Sequence, residues 1–221
     1  MEIAILMYDG LTALDAVGPY DVLSRVPGAD VKFVAAEPGP KRTENGMLAM
    51  TADHVIADVT APDVLLVPGG FGNRVLLDDA PLLDWIRSVH ATSTYTTSVC
   101  TGALLLAAAG ILDGLEATTH WGQRDRLAEL GARPSTQRVV EQGKVLTAAG
   151  VSAGIDMALT LVARLVDDEL AKAIQLGIEY DPQPPFDCGS PEKAGAELTE
   201  RLRTRLATEH TAVQAVLAGS R

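Results

Sequence analysis

Aromatic residues are scarce in this 221-residue chain: three Phe, two Trp and four Tyr, 4% in all. Any core must therefore be filled by the aliphatic side chains that dominate its 47% hydrophobic fraction. Cysteine is scarcer still. Two of them, Cys100 and Cys188, give no disulfide framework, so the fold must stand on packing. Positive charge is short as well: 18 Lys and Arg against 29 Asp and Glu leave a net charge of −11. That balance argues against nucleic acid and against anionic membrane surfaces as partners. Long apolar runs are missing. The longest, Ala103 to Leu112, is broken by Gly110 and is too short to span a bilayer. The chain opens directly on a strand-like stretch, Glu2 to Met7, with no basic leader or cleavage site, so a cytoplasmic protein is expected. No His or Cys recurs at ligand spacing, so no metal is expected. His54, His90 and His210 are read as surface residues. Repeats and low-complexity tracts are absent. The chain is read as one domain, 1–221, in which 182–221 form a C-terminal arm.

What is present centres on Thr96-Thr97-Ser98-Val99-Cys100-Thr101-Gly102-Ala103. A β-rich run, Tyr95 to Val99, meets an apolar helical run, Ala103 to Ala109, with one cysteine between them. Strand, sharp turn and helix in this order form a nucleophile elbow, which lifts a reactive side chain above a sheet. The helix N-terminus is aimed at the sulfur, and its free N–H groups favour thiolate over thiol. The competing reading is an inert buried cysteine acting as a small hydrophobe. The Ser-x-Cys-x-Gly context favours the reactive one.

Elsewhere, strands and helices alternate. Strands are expected at Ile3–Met7, Val31–Ala36, Asp63–Val67 and Tyr95–Val99, with small strands near Met47–Met50 and His54–Val59. A hairpin is expected around Gln142-Gly143. Helices are expected at Leu14–Leu23, Leu82–His90, Gln123–Leu130, Ala153–Leu165, Leu170–Tyr180 and Lys193–Leu217, and Glu37–Pro40 reads as a loop. This alternation implies an α/β fold with a mostly parallel sheet covered on both faces.

Ligands of such sheets sit outside the carboxyl ends of the strands. Four candidates end there: Asp15, Gly69-Gly70, Cys100 and His120. Gly70 could bring a bare N–H to a ligand and, with the Thr101 N–H, form a two-donor anion site; a tight strand-exit turn explains Gly69-Gly70 equally well. Asp15 could bond the cysteine or shuttle a proton, or could cap the following helix. His120, beside Trp121, is a base for Cys100 or a packed core histidine. The glycine-rich Gly150 to Asp156 stretch could cradle phosphate, but close helix–sheet packing is the preferred reading.

These residues resemble the DJ-1/PfpI superfamily: the Asp15-Ala16-Val17-Gly18-Pro19 turn, Val67-Pro68-Gly69-Gly70, Ser98-Val99-Cys100-Thr101-Gly102, Thr118-Thr119-His120-Trp121, and Gly150 through Asp156. The resemblance implies a flavodoxin-like three-layer sandwich carrying its cysteine at the elbow. Within the superfamily the chain is most similar to the isonitrile hydratase branch, through Asp15, Thr101 after the cysteine, and the tail Glu179 to Phe186. Protease-like relatives often carry His where Thr101 stands, which weakens a peptidase reading. The resemblance implies hydration of an isonitrile to an N-substituted formamide through a Cys100 thioimidate. Cys100, Asp15 and Thr101 would be catalytic, and Gly70, Gly69, His120 and Trp121 would bind the substrate. No cofactor is implied, and a homodimer is. The alternatives are a glyoxalase- or deglycase-like enzyme, or a redox-sensing or ligand-binding protein using the same cysteine.

Overall fold

The computed structural model describes residues 1–218, with side-chain surroundings through residue 209; the side chain of His210 lies outside that set. In chain order the first half comprises β1 (Glu2–Leu6), α1 (Ala13–Leu23), β2 (Asp30–Ala35), the hairpin of β3 (Gly39–Arg42) and β4 (Ala49–Ala52), β5 (His54–Val55), β6 (Val64–Val67), α2 (Ala80–Thr92) and β7 (Tyr95–Val99). The second half comprises α3 (Gly102–Ala108), β8 (Glu116–Ala117), α4 (Arg124–Glu129), β9 (Arg133–Pro134), β10 (Val139–Gln142), β11 (Val145–Ala148), α5 (Ala153–Leu165), α6 (Asp168–Gly177), α7 (Pro191–Ala194) and α8 (Ala196–Ala218).

Seven strands form the central sheet, in the order β10-β11-β7-β6-β1-β2-β5. Every neighbouring pair runs parallel except β10 with β11. The middle strands explain themselves. Ile3 to Leu6 and Val64 to Val67 are buried continuously, as parallel strands covered on both faces must be. β7 is polar in sequence yet also buried. Its threonine hydroxyls are satisfied internally, since Thr97 Oγ1 donates to the Leu65 carbonyl at 3.0 Å and Thr96 Oγ1 meets His90 Nδ1 at 2.9 Å, whereas the buried Ser98 Oγ has no hydrogen-bond partner. His90 is therefore half-buried and engaged rather than a free surface histidine, and burial lowers its pKa.

The connections run outward from β1 in both directions. Crossovers of one hand that step in opposite directions along the sheet, β1 to β2 and β6 to β7, place α1 on one face and α2 on the other. α1 packs on α5 and α2 on α3, giving the three-layer flavodoxin-like sandwich. Glycines set the α1–α5 distance: a Cβ on Gly18 would lie 3.1 Å from Ile155, and one on Gly154 would lie 3.1 Å from Pro19. This is the close packing expected of the 150–156 stretch. Because β1 leads to β2 on one side and β6 to β7 on the other, a crevice opens where the order reverses.

Two elements differ from the sequence expectation. Residues 37–40 are not all loop: β3 pairs antiparallel with β4 through Lys41 opposite Met50. Its Gly-Pro-Lys-Arg sequence has no β-branched or aromatic residue to announce a strand. The C-terminal helix is interrupted at Gly195, whose φ of 79° ends α7 and starts α8. α8 then packs across the turn at Phe71–Leu76.

Candidate active site

Cys100 and Thr101 join β7 to α3, with Thr101 at the cap position; the backbone turns at Cys100. Its φ of 57° lies in the left-handed region, a conformation costing a side-chain-bearing residue about 1–3 kcal/mol. The surrounding backbone enforces it. The Cys100 N–H donates to the Ala148 carbonyl at 3.0 Å, and Thr119 Oγ1 donates to the Cys100 carbonyl at 2.9 Å. Gly102 lets α3 begin against β6, since a Cβ there would stand 2.0 Å from the Val67 carbonyl. Gly150 lies against the thiol; a Cβ would be 3.0 Å from Sγ.

Asp15 reaches the same point from α1. Thr12, not Asp15, occupies the cap position, so the capping alternative for Asp15 is not taken. The carboxyl is fully buried, at 0% exposure, and Cys100 is 5% exposed. Oδ2 accepts the Gly69 N–H at 2.9 Å. Oδ1 has no hydrogen-bond partner, and the carboxyl as a whole interacts with the Cys100 side chain. Burial, above all, raises the Asp15 pKa from 3.8 to about 8; the Gly69 N–H opposes the shift and the Glu44 charge adds to it.

The same burial corrects the expectation of a helix-stabilised thiolate. Desolvation and the Asp15 charge push the Cys100 pKa well above its ordinary value, against the favourable Thr101 N–H. A seven-residue helix behind an enclosed sulfur does not offset that loss of water. Burial thus favours the protonated form of both members of the Cys100–Asp15 pair, which titrates as a unit.

The glycine pair also departs from its expected role. The Gly69 N–H is committed to Asp15, and the Gly70 N–H donates to Thr101 Oγ1 at 2.9 Å. Neither is left bare for a ligand. Their lack of side chains serves proximity instead: a Cβ on Gly69 would lie 2.5 Å from the Thr101 nitrogen, and one on Gly70 2.3 Å from the Gly10 carbonyl. His120 borders the site and accepts the Gly122 N–H through Nδ1 at 3.2 Å. Burial lowers its pKa to about 4, so the ring is neutral. Trp121 stands apart from the cysteine. It lines a neighbouring groove with Leu14 and Arg138, and the Arg203 guanidinium covers its ring at 5.3 Å.

Above Cys100 lies a cavity of about 340 Å³. Cys100, Thr101 and Gly70 line it from the turns that leave the sheet, Leu104 from α3, Val151 from the segment before α5, and Arg203, Leu206 and Ala207 of α8 from the far side. Lining residues that escaped the sequence reading include Glu44 and Asn73. Glu44 comes from the β3–β4 turn and accepts Thr12 Oγ1 at 2.9 Å; burial raises its pKa. Asn73 is buried and donates to the Thr101 carbonyl at 2.8 Å. Its place in Gly69-Gly70-Phe71-Gly72-Asn73, directly after a buried strand, was the available signal; Glu44 had none.

Residues 1–164 match the DJ-1/PfpI family. The chain belongs to that family. Among its relatives is the isonitrile hydratase of Pseudomonas putida, 44% identical over 207 residues that cover 94% of this chain and 90% of that protein. A crystal structure of a ThiJ/PfpI family protein from Pseudomonas syringae superposes with a TM-score of 0.90 at 38% identity, covering 97% of this chain and 89% of that one. An HTH-type transcriptional regulator of Pseudomonas aeruginosa is 34% identical over 163 residues, 72% of this chain but 48% of that protein. DJ-1/PfpI membership thus extends from enzymes to regulators, and the argument for an activity must come from the site. Among the described residues no group of three or more His, Cys, Asp or Glu is placed to hold a metal. No helix there is long and apolar enough to cross a membrane.

Proposed function

We propose that the protein hydrates isonitriles, R–NC, to N-substituted formamides. The observation that carries this reading is the unpartnered, fully buried Oδ1 of Asp15 near Cys100, whose side chain lines the cavity. An isonitrile's terminal carbon takes both a proton and a nucleophile. The pair supplies both to one point. As the sulfur bonds to that carbon, one of the pair's two protons moves to the same carbon and the other stays on Asp15. The product is a thioimidate, R–N=CH–S–Cys100. Thr101, fixed by Gly70 and Asn73, holds the elbow in register, and the neutral His120 borders the substrate. Water then releases the formamide and the free thiol. The 44% identity to the Pseudomonas putida isonitrile hydratase supports the same reading.

The chain is further proposed to act as a cytoplasmic homodimer of one-domain subunits. Leu14, Val17 and Tyr20 leave an exposed apolar stripe on α1 that a second copy would cover. The activity test is direct. Purified protein incubated with an alkyl isonitrile should produce the formamide, read by its formyl proton signal. No formamide above the buffer rate would remove the hydratase reading.

A further inference from the structure

The thioimidate must be hydrolysed, and Asp15 is badly placed to activate water. It is fully buried beneath the sulfur, whereas water reaches the thioimidate carbon from the cavity. The ionisable groups facing that cavity, besides Cys100, are Glu44, His120, Arg74 and Arg203. The arginines are cations with no free base. His120 has its Nδ1 engaged by Gly122, and its pKa of about 4 makes it a weak base. Glu44 is the one carboxyl lining the cavity among the described residues. It is also held in place. Thr12 Oγ1 donates to Oε2 at 2.9 Å, the Phe71 N–H donates to the same carboxylate, and the Glu44 backbone N–H is tied to the Leu11 carbonyl at 3.0 Å.

We infer that Glu44 is the general base that hydrolyses the thioimidate, dividing the reaction between two carboxyl groups: Asp15 below the sulfur for addition and Glu44 above it for release. The inference rests on the hydratase reading. Water attacks the thioimidate carbon while the Glu44 carboxylate takes one of its protons. The C=N electron pair moves to nitrogen, which receives that proton from Glu44. The tetrahedral R–NH–CH(OH)–S–Cys100 then collapses. Its C–S bond breaks, the hydroxyl becomes the formyl C=O, and the hydroxyl proton goes to sulfur. Glu44 ends as the carboxylate and Cys100 as the thiol, and R–NH–CHO leaves.

Glu44→Gln keeps the acceptor for Thr12 and the side-chain shape while removing the base. With an alkyl isonitrile it should form the adduct as the wild type does but release formamide about 100-fold more slowly. Intact-mass spectrometry should then show the variant heavier by the mass of one isonitrile, located on Cys100, while the wild type shows no lasting adduct. Glu44→Ala should regain formamide release when formate is added, which a purely structural role for Glu44 would not produce. Wild-type turnover with an equally active Glu44→Gln, or lost activity with neither adduct nor formate rescue, overturns the role of Glu44 and leaves the hydratase reading intact. A wild type that makes no formamide overturns both.

Discussion

Burial acts on Cys100 and Asp15 in the same direction, and each makes ionisation of the other harder. Cys100→Ala and Cys100→Ser should therefore abolish formamide production while leaving the circular dichroism spectrum unchanged, because small residues fit the elbow. Activity above a few per cent would exclude Cys100 as nucleophile. Asp15→Asn keeps the size and the acceptor for the Gly69 N–H but has no acidic proton to give. Turnover should fall by at least about 100-fold, while Cys100 alkylates as in the wild type in a mass assay run at raised pH, where the thiol ionises. Wild-type turnover in this variant would remove the proton-transfer role. Cys100 was legible in the sequence because it sits where a recognisable strand gives way to a recognisable turn; Asp15, inside α1, was picked out mainly by the family resemblance. Their protonation was less so. The elbow pattern advertises the helix N-terminus, which favours thiolate, but it does not show how completely α8 and the 150–152 backbone enclose the sulfur.

Most strands and helices were visible as apolar runs closed by Gly, Pro or Asp. The β3 strand of the hairpin was not, because its burial alternates only between exposed and half-buried positions and its Gly-Pro-Lys-Arg sequence has no apolar residue to mark the inner ones. Glu44 lay hidden with it: a glutamate in a Thr-Glu-Asn-Gly turn reads as solvated until the turn is seen folded onto Leu11. The reach of α8 was equally illegible, since its hydropathy pattern shows a polar helix and not what it covers. Leu206→Ala should enlarge the cavity, raising KM for small isonitriles by roughly 3–10-fold and improving kcat/KM for bulkier ones, in line with the worth of a few methylenes in a pocket. An unchanged size preference would show that α8 does not shape the substrate. At the start of α3, Gly102→Ala should cost at least about 2 kcal/mol of stability, because its Cβ would meet the Val67 carbonyl at 2.0 Å. A midpoint in urea equal to the wild type would contradict that packing.

For the molecule as a whole, the buried groups imprint a pH dependence on stability. The Asp15 pKa is higher in the folded state, about 8 against 3.8, so its contribution is full below 3.8 and is lost as pH rises towards 8. His120 works the other way: lowered from 6.5 to about 4, it contributes fully above 6.5 and loses that contribution as pH falls towards 4. Between pH 6.5 and 8 only Asp15 of the two changes. The Tm of Asp15→Asn should therefore rise relative to the wild type across that interval. A constant Tm difference from pH 6.5 to 8 would show that Asp15 is not carrying a buried proton. Association is the second property at this scale. Light scattering should give twice the chain mass of 23.2 kDa, and Val17→Glu on the apolar stripe of α1 should halve it. A monomeric wild type at micromolar concentration would contradict the dimer.

The two protons held at Cys100 and Asp15 also set what the site ignores. A thiol in this state is a poor partner for peroxides and alkyl halides, which need an anion and offer no basic atom in return. An aldehyde would take its proton on oxygen and its sulfur on carbon, two positions more than 1 Å apart. An isonitrile takes both on a single carbon, a geminal addition. On the proposed hydratase reading, chemoselectivity in this pocket is set less by the shape of R than by the demand that one atom be base and electrophile together.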